Sequence, residues 1–277
     1  MNSSITSEIS TDNSVGLISG TGRMMVVFYT FLIAMAELVA AFVNVIAGVT
    51  IHAVLIPLLL SQYVLMPQAS YRRILPVLTL LPLVRVLSIS MIIRADAMPP
   101  LYWYVLVGIP MFVAVVFTMR LLSISWVRVG MPFTAPGFQM LIGLTGIPLG
   151  IVAYFITQPQ ALVGELNALH VVGGLISLIV FSAFLEELIY RGVLQQVATE
   201  LFGGAGFVVS SILYTAIALS TLSPTNPNGL MQIGFIGLVG LYFAWCAKRT
   251  GSIWGVVIAH GVLNVIALLG GPFWWGG

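Results

Sequence analysis

The chain has 277 residues, of which 60% are hydrophobic and 6% charged, with a net charge of +2. Soluble domains carry about 25% charged residues, so this composition excludes a water-soluble globule: a core of this length cannot hide so much apolar surface. Lipid accepts that surface and demands helices that satisfy their own backbone groups, so the fold class is an all-α, polytopic transmembrane helical bundle in contact with membrane lipid. No basic patch with interleaved aromatics points to nucleic acid, and Cys246 alone forms no internal disulfide.

The amino-terminal stretch MNSSITSEISTDNSVGLISG is polar and rich in Ser and Thr. It lacks a basic region followed by an apolar core and is expected to be a loose tail, residues 1–23, rather than a cleaved signal peptide. A span needs about 20 mostly apolar residues. Cutting the chain at its Arg, Pro, Gly and Asn clusters predicts helices over 24–44, 48–66, 74–93, 101–122, 136–157, 168–190, 205–220, 229–247 and 252–270. That makes about eight or nine spans, because the turn near Asn44 to Gly48 interrupts one long apolar run and the seventh segment is short.

Nine spans alternate the loops between two faces. Arg23, Arg72, Arg73, Arg120, Arg128, Arg191, Lys248 and Arg249 collect on one, and Arg94 beside Asp96 falls on the other. Cytoplasmic loops are enriched in Lys and Arg, which predicts a cytoplasmic amino terminus, an external carboxyl terminus and residence in the plasma (inner) membrane. Residues 123–135, with Trp126, are expected along the inner interface, and the aromatic end GGPFWWGG at the outer one. The chain then divides into amino-terminal helices with the interfacial segment, 24–135, and a core, 136–277, that carries the dense polar motifs.

Ionisable groups inside a bilayer need a partner or a purpose. Glu37 and Arg85 lie at similar depth and are expected to pair. In FLEELIYRGVLQQ, Glu187 and Arg191 are four residues apart and so share one helix face. Glu186 lies about 100° round the helix and is a carboxylate able to take a proton from water. The plainer alternative is that these three charges mark the cytoplasmic end of the sixth span. In RTGSIWGVVIAHGVLN, His260 and Asn264 also fall on one face. They offer either a bond between helices or hydrogen-bond donors for a developing oxyanion.

EELIYR at 186–191 resembles the EExxxR motif, and HGVLN at 260–264 the HxxxN motif, of the CPBP/Abi intramembrane endopeptidases, a family that includes the CAAX prenyl endopeptidases. The resemblance covers roughly residues 168–270. It implies a glutamate-dependent intramembrane protease opening to the cytoplasm and acting on a peptide or prenylated-protein substrate. In it Glu186 would activate water, Glu187 and Arg191 would orient the site, and His260 with Asn264 would stabilise the oxyanion. The family's middle motif, FxxxH, corresponds to SSILYTAIALS, where Tyr214 stands in place of the Phe and Ala218 in place of the His. His52 and His170 are expected toward the outer face, away from Glu186. The departure at Ala218 opens an alternative: an inactive relative serving as a scaffold or accessory subunit with a stable membrane-protein partner, as a scaffold subunit of the gamma-secretase complex resembles the family in fold. No Cys or His cluster has zinc-site spacing, so neither metal nor other cofactor is expected.

Overall fold

The computed structural model describes residues 20–92 and 100–276. Residues 1–19, and Arg94 with Asp96, lie outside the described residues. Among the described residues the fold is all-helical. Seven stretches are long and apolar enough to cross a membrane, and Ile74–Ser90 is a shorter apolar helix.

In chain order the helices are α1 (Gly20–Phe42), α2 (Val45–Leu65), α3 (Ile74–Ile92), α4 (Leu101–Leu121), α5 (Pro136–Thr157), α6 (residues 168–202), α7 (Gly206–Ile217), α8 (Gly229–Thr250) and α9 (Trp254–Trp275). The turn between α1 and α2 falls at Asn44, whose extended backbone and side-chain oxygen cap α2 by accepting from the amides of Ile46 (2.8 Å) and Ala47 (3.2 Å). A helix start with its own cap explains how an unbroken apolar run becomes two helices.

The sixth helix departs from expectation. It does not end near residue 190 but continues to Phe202, where Gly203 at φ +56° turns the chain. At 1.5 Å per residue α6 is roughly 50 Å long, well beyond a hydrocarbon core of about 30 Å. The glutamates and Arg191 therefore stand in the middle of a helix rather than at its end, and Arg191, buried in the bundle, is not a loop charge. The short α7 folds back along α6, with Ser210 donating to the Tyr190 carbonyl at 2.7 Å.

The remaining basic residues still gather at one end of the bundle. Glu200 pairs there with Arg73 (3.0 Å) and Arg128 (2.9 Å), and Lys248 donates to the Gly204 carbonyl at 2.8 Å. Residues 123–135 run as turns rather than a helix and leave Trp126, Val127 and Phe133 exposed. This segment fixes the start of α9: Trp254 Nε1 donates to the Met131 carbonyl (2.6 Å), and the buried Gln139 accepts from the Gly255 amide (2.6 Å). The main core joins both halves, packing Leu78, Leu81 and Met111 with Leu188, Leu194 and Phe243.

Candidate active site

The site is built on the centre of α6. Segments Ser177–Phe184 and Leu188–Leu194, on either side of the two glutamates, are wound as wide π turns, and another follows Asn264 at Val265–Gly270. Such turns recur at functional sites because they re-aim side chains that a regular helix would stack. Glu187 is fully buried, and its Oε1 accepts from Arg191 Nη1 (3.0 Å) and from His260 Nδ1 (2.7 Å).

Arg191 is held from three sides. Besides Glu187, it donates through Nη2 to the Gly240 carbonyl (3.1 Å) and lies 4.4 Å over the Tyr214 ring. Gly240 must be glycine for this arrangement, since a Cβ there would sit 2.8 Å from Tyr214 Cδ1. The network thus ties α6 to α7, α8 and α9, and every element contributes a group that the others need.

A carboxylate only accepts, so the ring proton of His260 sits on Nδ1, and in the neutral imidazole Nε2 is an acceptor. That nitrogen faces Glu186, with Nε2 and Oε2 4.0 Å apart. The gap is too long for a direct hydrogen bond and short enough for both atoms to accept from one water molecule. Glu186 is 38% exposed at its side chain, in contrast to the dry Glu187. Its Oε1 accepts from Ser182 Oγ at 3.2 Å, and Ser182 Oγ accepts from Asn264 Nδ2 at 3.2 Å. Asn264, Ser182 and Glu186 therefore form a chain that sets the carboxylate's orientation.

Glu186 lines a cavity of about 500 Å³ whose walls come from α3, α4, α6, α7 and α8. Most of the lining is apolar or aromatic, including Trp103, Tyr104, Phe181 and Ile217. Ala218 is also part of the wall, where its methyl offers no group for proton transfer. Pro100 and Leu162 belong to the connections at the end away from Arg73, Arg128 and Lys248. The cavity reaches toward that end, against the expectation that it opens on the basic side.

The resemblance of the motifs finds its counterpart in the family comparison: residues 168–266 match the family model of the Rce1-like type II CAAX prenyl endopeptidases. This segment is Rce1-like. At the level of the family, the match supports an intramembrane endopeptidase of the CPBP type. No curated protein and no solved structure matches the chain.

All five residues singled out by the motifs, Glu186, Glu187, Arg191, His260 and Asn264, meet within the Rce1-like segment. Ser182 was missed, although a serine four residues before a glutamate in an apolar run shares its helix face and could have been found by that spacing. The amino-terminal helices also carry a buried polar cluster. The expected Glu37–Arg85 pair forms, with Nε to Oε1 at 2.5 Å and Nη2 to Oε2 at 2.8 Å. His52, expected toward the outer face and away from Glu186, joins it through Nε2 to Glu37 Oε1 at 2.9 Å. Arg85 then lines the same cavity as Glu186.

Among the described residues, no group of three or more His, Cys, Asp or Glu could hold a metal ion.

Proposed function

We propose that the chain is a glutamate-dependent intramembrane endopeptidase that hydrolyses a peptide bond held in the cavity. The observation that carries this reading is the 4.0 Å approach of Glu186 Oε2 to His260 Nε2 at the cavity wall. A water molecule donating one hydrogen to each atom would turn its lone pair toward a substrate carbonyl. Glu186 takes the proton as the new C–O bond forms and the carbonyl electrons move to oxygen. Collapse of the tetrahedral intermediate breaks the C–N bond, and the proton returns from Glu186 to the leaving amine.

His260 then acts as an acceptor that orients water, rather than as the oxyanion donor expected from sequence, because Glu187 already takes its N–H. Asn264 remains the candidate oxyanion donor through the second hydrogen on Nδ2. Glu187 and Arg191 are positioning residues: they fix the imidazole and touch no reacting atom. In this reading residues 136–277 form the catalytic core, and residues 24–135 complete the cavity. The substrate is a peptide, of the prenylated CAAX class that the family name denotes. The basic end faces the cytoplasm of the plasma (inner) membrane, with the amino terminus inside and the carboxyl terminus outside, so the cavity reaches toward the outer face.

Ala218 favours a second reading, an impaired or inactive relative serving as an accessory subunit in a membrane complex. The two separate in one experiment: the detergent-solubilised protein is incubated with a farnesylated CAAX peptide, and its products are read by mass. The wild type is expected to cleave it and a folded Glu186→Gln protein to leave it intact. Residual cleavage by that variant would remove Glu186 from the mechanism.

A further inference from the structure

Arg85 contributes nothing to the proposed hydrolytic step, yet among the described residues it is the one cation lining the cavity. Its side chain is 20% exposed, whereas its partner Glu37 is fully buried. Glu37 occupies Nε and Nη2, and Ser220 Oγ accepts a further bond from Nη2 at 3.0 Å. Among the described residues Nη1 has no protein partner. His52 holds Glu37 from behind, so the carboxylate cannot swing away from the guanidinium. The pair is thus a fixed dipole that is buried at its negative end.

We propose that Arg85 is the specificity-determining residue of the cavity, binding the free carboxyl terminus of a peptide whose scissile bond lies at Glu186. This assignment rests on the protease reading and names what that site would select. The hydrogens left on Nη1 can donate to a carboxylate, and such charge-assisted bonds are the strong ones. Among the described lining residues, a carboxylate entering beside Arg85 meets no other cation.

Trp103 also lines the cavity, so its fluorescence reads occupancy without requiring cleavage. A farnesylated Cys-Val-Ile-Met tetrapeptide, as the free acid and as the carboxyl-terminal amide, is titrated into the Glu186→Gln protein, with Trp103→Phe identifying the signal. The acid is expected to bind at least tenfold more tightly than the amide, and adding Arg85→Gln is expected to reduce acid binding to the amide's level. Should Arg85→Gln fail to fold, Arg85→Met with Glu37→Leu replaces the buried pair by apolar groups, an exchange proteins often tolerate, and the same loss of preference is expected. Equal binding of acid and amide, an equal loss of both on changing Arg85, or no binding of either peptide would overturn the proposal. Cleavage assays separate its fate from that of the protease reading. Acid preference without cleavage by the wild type leaves Arg85 in place and rejects the enzyme, whereas Glu186-dependent cleavage of both peptides without preference does the reverse.

Discussion

Glu186 and Glu187 are neighbours in sequence and opposites in environment. Glu187 is dry and has its charge met by Arg191, so removing Arg191 would strand a buried charge, at a cost of about 3–5 kcal/mol. Glu186 accepts a hydrogen bond from Ser182 and is open to the cavity, the condition a proton acceptor needs. On the protease reading, Ala218 stands where the resembled middle motif would place a histidine. A positioned acid or base commonly contributes 10²- to 10⁴-fold in rate, so Ala218→His is expected to leave peptide cleavage unchanged or to raise it. A fall in rate from a folded Ala218→His protein would show that the alanine is required by the shape of the cavity. The spacing of Glu187 and Arg191 made their pairing legible in the sequence. The role of His52 was not, because only the packing of α1 against α2 brings it to Glu37.

At the scale of elements, the length of α6 and the closeness of α7 and α8 decide where the site lies. Apolar periodicity located α6 but not its end, since nothing in IYRGVLQQ stops a helix and the stop comes only at Gly203. In GLMQIGFIGLVG, Gly237 and Gly240 let α8 approach α7 closely at Thr215 and Tyr214. Gly240→Val is expected to push Tyr214 aside and loosen Arg191 from the Gly240 carbonyl. The cost of such overpacking is about 1–3 kcal/mol, measurable as a lower midpoint of thermal unfolding in detergent. An unchanged midpoint would mean that α7 moves freely and that the network does not depend on this contact.

The whole molecule is a bundle whose two halves share both a core and a cavity. Glu200 links the start of α3 and the interfacial segment to α6, while Arg85 and Trp103 bring the amino-terminal helices to the wall that Glu186 faces. A protease that works alone and an accessory subunit differ at this scale. Purified from its native membrane in mild detergent, the chain is expected to run without a stoichiometric companion, as judged by its mass and its co-purifying chains. A fixed partner at equal stoichiometry would favour the accessory role. The cavity's reach toward the end opposite the basic cluster also bears on substrate access, which is then gained from the membrane or its outer face when the basic end is cytoplasmic.

By itself the sequence determined the fold class, the positions of the helices and the pairing of residues on one helix. These follow from how apolar residues partition into lipid and how side chains repeat along a helix, both local properties. The motifs also marked Glu186, Glu187, Arg191, His260 and Asn264. Only the tertiary structure decided which carboxylate is dry, which nitrogen of His260 faces Glu186, and that Arg85 and Ala218 line the same cavity. Those outcomes depend on distances between helices far apart in sequence, set by packing that no single segment encodes.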